Sequence, residues 1–354
     1  MELDELRKRI DELDTQIVQL VNERADVARR VGDLKNEADS EIYVPARERA
    51  VHDHVKELNQ GPLPDSVIEA IYREIISGCL TLEKPVTVAY LGPEGTFTHG
   101  AARRNFGRSV NYVPMPTIDE VFGEVEKERA DYGVVPVENS TGGGIHETLT
   151  RFLSSPLKVC AEIAYEIHHA LMARCRADEV EHIYSRGQVF GQTRRWVQAH
   201  MPGRELHEVS STSVAAGIAA EQDGAAAIGS ASLAPVHGLE VLHEHIEDYA
   251  HNMTRFFVVG THTSQSTGDD KTALLCSVRD KVGALVDLLA PFKEHGINMT
   301  KIESFPSPEA AWQYYFFIDF LGHPEDPEIR RALEQMEQEC VAFKVLGAFP
   351  RDRD

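Results

Sequence analysis

Residues 84–97 read KPVTVAYLGPEGTF, and this stretch decides how the chain divides. Up to Glu83 the apolar residues recur every third or fourth position. From Val86 onward a β-branched run leads into a Gly/Pro turn, the pattern of a strand that ends in a loop. A domain boundary therefore falls near Lys84, with helices before it and strands after it.

Upstream, positions 3, 6, 10, 13, 17, 20, 24, 27, 31 and 34 form one seam on a long helix, aliphatic throughout except at Arg24. LNQGPLP interrupts the next helical stretch, and DSVIEAIYREIISGCLTLE reads as a further helix with Asp65 or Ser66 as N-cap. The result is an all-helical unit of about three helices over residues 1–84. An arginine on an apolar seam is expensive unless it meets an anion, either an acidic partner or a ligand. Lys35 lies about 20° around the helix from Arg24 and about 16 Å along it, so both can reach one small anion. Arg7, about 25 Å from Arg24 in the other direction, can reach that anion only from a second chain.

Downstream, the strands VTVAYLG, YGVVPVE, AYEIHHALMA, AAAIGS and TRFFVVG alternate with helical segments, the signature of an α/β domain over 85–262. THTSQSTGDD is a linker. Over 271–350 the order strand, helix, strand, strand, helix, strand predicts an α+β ferredoxin-like βαββαβ unit.

The chain has 354 residues, 42% hydrophobic and 26% charged, with a net charge of -21. That length supports two or three domains. The charge disfavours nucleic acid as a partner, because phosphates are repelled. No apolar run approaches the roughly 20 residues of a membrane span, and the amino terminus has no signal-peptide core. Cys79, Cys160, Cys175, Cys276 and Cys340 show no CxxC spacing, which fits a reducing compartment. A cytoplasmic protein without membrane or nucleic-acid partners is expected. His168, His169, His237, His243 and His245 lack HExxH spacing, so no metal site is expected.

The helical residues, with PARERA downstream, resemble the all-helical chorismate mutases. The resemblance implies that Arg7 of a partner subunit, Arg24 and Arg47 hold the two carboxylates of chorismate, that Lys35 faces the ether oxygen, and that Glu48 binds the ring hydroxyl. The rearrangement is pericyclic, so no cofactor is needed. The chain departs from one version of that site at Val44, Cys79 and Glu83. Cys79 and Glu83 share a helix face, and a Glu83 facing a developing negative oxygen must be protonated to help.

GVVPVENSTGGG, residues 133–144, ends a strand in three glycines. Taken alone it reads as a structural turn, as backbone N–H groups for a small anion, or as a nucleotide loop. The last lacks the lysine and the spacing. GPEGTF, YSRGQVFGQ, STS at 211–213 and HNMTRFF are further polar strand ends, together suggesting a cleft between two lobes. GPEGTF, PVENSTGG, GQ before RRW, and NMTRF resemble prephenate dehydratase, with a two-lobed, periplasmic-binding-protein-like fold. The resemblance implies Thr254 as general acid and Thr96, Glu138, Asn139, Ser140, Thr141, Ser185 and Gln192 as pocket wall. Arg255 reads either as a substrate cation or as a structural ion pair. SRGQ lacks the histidine and proline of many relatives.

VGALVDLL and NMTKIESFP resemble the amino-acid-sensing ACT domain, which implies L-phenylalanine as effector at a subunit interface. The residues implied are Gly283, Ala284, Leu285, Val286, Asn298, Glu303 and Ser304, with Phe305 where the family motif has arginine. The whole reading is a bifunctional chorismate mutase and prephenate dehydratase on the route to phenylalanine, at least a dimer. The alternatives are a two-lobed sensor without catalysis, a chain whose mutase half is inactive, and a dehydratase preferring arogenate.

Overall fold

The computed structural model describes residues 3–37, 43–249, 251–307 and 314–352. Three helices come first: α1 (Leu3–Glu37), α2 (Pro45–Leu58) and α3 (Asp65–Glu83). At 35 residues α1 is about 52 Å long, nearly twice the 19-residue α3 it packs on. Its aliphatic seam stays open even beside α3: Ile17 is 56%, Leu20 64% and Leu34 67% exposed. Gly32 lets α1 approach α3, since a Cβ there would lie 2.7 Å from the Glu83 side chain. The expected N-cap of α3 shifts by one residue. Pro64 occupies it without a side-chain bond, and the Asp65 carboxylate accepts instead from Asn59.

The central unit opens at β1 (Thr87–Leu91) and continues through α4 (Phe97–Phe106), β2 (Asn111–Met115), α5 (Ile118–Glu126), β3 (Tyr132–Asn139), β4 (Gly143–Gly144), α6 (His146–Ser154) and β5 (Lys158–Glu166). Then come β6 (Ala170–Ala173), β7 (His182–Ser185), α7 (Gly187–His200), β8 (Glu205–Glu208), α8 (Thr212–Glu221), β9 (Ala225–Gly229), α9 (Leu233–His237), β10 (Glu240–His243) and β11 (Met253–Gly260). Two sheets result, β2-β1-β3-β11-β5 with β4 paired to β3, and β10-β6-β9-β7-β8. AYEIHHALMA, expected as one strand, is the end of β5 and the whole of β6. Residues 167–169 carry the chain from the first lobe to the second, and residues 244–249 and 251–252 belong to the return. The crossings are tied together by Ile167 N–H donating to Asn252 O at 2.7 Å and Ile246 N–H to His169 O at 3.0 Å.

The terminal unit comprises β12 (Asp270–Val278), α10 (Ala284–Glu294), β13 (Met299–Pro306), β14 (Tyr314–Leu321), α11 (Pro327–Glu339) and β15 (Cys340–Pro350). Its sheet order, β13-β14-β12-β15, is the ferredoxin-like arrangement expected. The first two residues of the WQYYFFIDF strand lie outside the described residues.

Alternation along the first-lobe strands sends side chains to two cores. On one face Val88, Val134 and Val258 pack with Phe106 and with Tyr43 and Leu80 of the helical unit. On the other face Ala89, Val135 and Phe257 pack with Phe152 and with Phe305, Phe317 and Phe349 of the terminal unit. One sheet thus carries the apolar contacts of the central unit with both neighbouring units. Replacing the fully buried Phe305 by alanine is expected to cost about 3–5 kcal/mol, read as an earlier urea midpoint of the central-unit transition. An unchanged midpoint would contradict this packing.

Candidate active sites

β3 and β11 pair antiparallel, with Asn139 opposite Thr254 and Glu138 opposite Arg255. Asn139 and Thr254 face a cleft of about 240 Å³ between the lobes, which Thr96, Gln192, Ser211 and Arg186 also line. Three helices, α4, α7 and α8, begin at this cleft, with Thr96, Arg186 and Ser211 as their N-caps. Their unpaired N–H groups and dipoles favour an anion there. Arg186, exposed, is the one permanent cation among the lining residues.

A directed chain of hydrogen bonds ends on Thr254. Gln192 Nε2 donates to Thr141 Oγ1 at 2.8 Å, Thr141 Oγ1 to Asn139 Oδ1 at 2.6 Å, and Asn139 Nδ2 to Thr254 Oγ1 at 2.8 Å. Gln192 Oε1 is left to accept from His169 Nε2 at 2.8 Å. That assigns the Nε2–H tautomer to His169, whose imidazole burial holds below its ordinary pKa despite this bond. Because Thr254 Oγ1 accepts from Asn139, its own hydrogen is free to donate into the cleft.

Neighbouring residues face the other way. Arg255 Nε donates to Glu162 at 2.7 Å and its Nη1 pairs with the buried Asp319 of β14. Burial opposes the charge on Arg255, but Asp319 and Glu162 outweigh it and raise its pKa. Glu138 accepts from Lys301 of β13 at 2.8 Å. Lys301 also holds Glu303 at 2.9 Å, and Glu303 meets His146 at 3.2 Å. A Cβ on Gly144 would stand 2.0 Å from the Glu303 carboxylate, so the third glycine of the loop makes room for the terminal unit. Ser140 braces the loop against His251 O and Met253 N. Ser185 is fully buried, donating to Ile228 O at 2.7 Å.

In the helical unit Arg24 Nη1 donates to Cys79 Sγ at 3.1 Å, and Lys35 Nζ lies 3.5 Å from Glu83 Oε2. Burial pushes the Glu48 carboxyl up to about 8, with Lys35 opposing and Glu83 reinforcing the shift. Burial raises Glu83 as well, against Lys35 and Arg24. Arg47 is exposed on α2, and Arg7 is exposed near the far end of α1, 3.7 Å from Asp4. In the terminal unit Gly283, Ala284, Leu285 and Val286 edge a pocket of about 540 Å³ with Tyr314, Phe316 and Val341. Asn298, Glu303 and Ser304 do not line it. Glu303 and Phe305 turn to the central unit, while Ser304 and Asn298 are exposed.

Family models for chorismate mutase type II, prephenate dehydratase and the ACT domain match residues 6–84, 88–264 and 272–338. A bifunctional chorismate mutase/prephenate dehydratase of Aquifex aeolicus is 45% identical over 99% of this chain and 98% of its own. The chain belongs to the bifunctional chorismate mutase/prephenate dehydratase family. The corresponding protein of Pseudomonas aeruginosa is 44% identical over the same shares. The prephenate dehydratase of Arthrobacter aurescens in complex with L-Phe, 32% identical, covers 75% of this chain and 90% of that one at a TM-score of 0.71.

Of the residues expected in the dehydratase cleft, Thr96, Asn139, Gln192 and Thr254 line it and Thr141 links two of them. Glu138, Ser140, Ser185 and Arg255 do not reach it. Arg186 and His169 also line the cleft, and neither is among the residues expected there. Arg186 stands within the SRGQ departure, which was the available signal; His169 gave none beyond its place in a histidine pair. In the dehydratase, Arg186→Gln is expected to raise KM for prephenate about tenfold or more, the scale of one charged hydrogen bond. Thr254→Val should instead lower kcat by about 10²-fold or more, and mutase activity measured on the same preparations should not change.

Proposed function

We propose that the chain rearranges chorismate to prephenate in the helical unit and converts prephenate to phenylpyruvate in the cleft. The observation that carries the second step is the directed chain ending on Thr254, facing three helix N-termini and Arg186. Arg186 and the helix ends hold the carboxylates, Thr254 donates to the departing ring hydroxyl, and carbon dioxide leaves as the ring becomes aromatic. A threonine is a weak acid, so positioning carries more of the work than acidity. The deciding experiment gives purified protein chorismate and follows prephenate and phenylpyruvate together. Prephenate that accumulates without phenylpyruvate would refute the second step.

For the mutase, Arg24 and Lys35 grip the substrate from one chain, and a second copy supplies Arg7 and covers the open α1 seam. A homodimer accounts for an apolar stripe of this length left uncovered in one chain. Mixing Arg7→Ala and Arg24→Ala chains under subunit exchange is expected to restore about a quarter of wild-type mutase activity, because random pairing across a two-fold axis rebuilds one site in half of the dimers. No recovery would place Arg7 outside the site.

Glu83 acts protonated, donating to the ether oxygen as negative charge grows there. A raised pKa keeps the neutral form to higher pH, so mutase kcat should fall as pH rises through the Glu83 pKa. Glu83→Gln should flatten that limb. A limb that persists in the variant would reassign the titration to Glu48.

L-Phenylalanine binds at the Gly283–Val286 pocket, completed by Ser304 and Asn298 of a second copy. The link from there to the cleft runs through β13 and β14, whose Lys301 and Asp319 grip Glu138 and Arg255. Adding phenylalanine to the chorismate experiment should slow phenylpyruvate release while prephenate still forms. We place the protein in the cytoplasm. Among the described residues no helix is long and apolar enough to cross a membrane, and the five cysteines are free thiols.

A further inference from the structure

His168 sits in the outgoing crossing between the lobes, and His245 and Glu247 sit in the returning one. His168 Nδ1 lies 2.8 Å from Glu247 Oε1, and His245 Nδ1 lies 3.7 Å from the same oxygen. All three ligand atoms lie within 4.8 Å of one another. Tetrahedral zinc with bonds of about 2.0–2.1 Å needs ligand atoms about 3.3 Å apart, so small side-chain rotations suffice.

The outer partners a metal site requires are also in place. Glu166 Oε2 lies 3.2 Å from His168 Nε2 and accepts that N–H, while Nδ1–H donates to Glu247 at 2.8 Å, so an ion that displaces the Nδ1 proton meets a ring already aimed at the carboxylate. His169 N–H holds the other Glu247 oxygen at 2.9 Å. A carboxylate behind the histidine and a donor behind the carboxylate fix ligand orientation in metal sites.

We propose that His168, His245 and Glu247 bind one divalent transition-metal ion of the zinc class, with water at the remaining position, and that the ion pins the two crossings together. Two imidazoles and one carboxylate select Zn²⁺, Co²⁺, Ni²⁺ or Cu²⁺ over Mg²⁺ or Ca²⁺. The ligand that sequence spacing missed is Glu247, two residues after His245 and 79 after His168. Because His169 is bonded both to Glu247 through its N–H and to Gln192 through its ring, the pin adjoins the chain that ends on Thr254. Its effect on turnover rests on the cleft being the dehydratase site. Binding itself does not.

A second trio, His182, Glu205 and His207 on the paired strands β7 and β8, also brings two imidazoles and a carboxylate together, at 3.2–3.5 Å, and must be removed from the test. Full-length chain carrying His182→Ala and His207→Ala is stripped with chelator and titrated with Co²⁺, followed by visible absorption, and with Zn²⁺ by calorimetry. One equivalent should bind with the intense visible bands of tetrahedral cobalt. His245→Ala, at a position 63% exposed and so tolerant of change, should abolish those bands. Glu166→Gln should weaken binding about 10–100-fold, the cost of a lost outer partner. Zn²⁺ should slow phenylpyruvate formation and leave prephenate formation from chorismate unchanged, since the helical unit contributes none of these residues. Absence of saturable binding, or equal binding by the His245→Ala chain, overturns the site. Binding that leaves dehydratase turnover at its metal-free rate overturns the pin.

Discussion

The backbone pairing of β3 with β11 sets Asn139 beside Thr254 and Glu138 beside Arg255. Successive residues on a strand face opposite sides, so this register turns one pair to the cleft and the next to interdomain contact. A slip of one residue would turn Thr254 into the terminal unit and Arg255 into the cleft. The buried cations and carboxylates behind the strand, Arg255 with Glu162 and Asp319 above all, hold against such a slip. Arg255 desolvated without those partners would be far more costly than any slip could repay.

The division of labour between the two faces explains where the sequence was legible. Periodicity located the helical unit, the strand alternation and the βαββαβ order, because each is a local pattern that burial enforces. It failed at AYEIHHALMA, where the chain passes from one sheet to another through Ile167, His168 and His169 with no glycine or proline to mark the crossing. It also could not say which of two adjacent polar residues faces a ligand. Glu138 and Arg255 carry the same residue types as a binding site, yet their partners, Lys301 and Asp319, come from β13 and β14 more than 60 residues away in sequence. Arg186 lay in a stretch already singled out, but a helix N-cap arginine reads as solvated until the cleft is seen around it.

The three glycines after Asn139 serve unlike purposes. Asn139 Oδ1 accepts from the N–H groups of Thr141 and Gly142, which folds the loop back on the residue that orients Thr254. Gly143 takes φ 77, a conformation other residues avoid. Gly144 yields its space to Glu303. The loop is therefore shaped from within by an asparagine and from without by the terminal unit, and any shift of β13 is felt at the wall of the cleft.

The core shared by the first-lobe sheet and the terminal unit has an evolutionary consequence. In many regulated enzymes, feedback control can be discarded by deleting the sensing module. Here a chain stopped after β11 would strip Phe257 and Phe152 of Phe305, Phe317 and Phe349, and would leave Glu138 and Arg255 without Lys301 and Asp319. Removing the terminal unit would therefore disturb the sheet that forms the cleft rather than simply detach a module. The outward-facing Gly283–Val286 pocket, whose lining shares no residue with that core, is where the terminal unit can change without disturbing the first-lobe sheet.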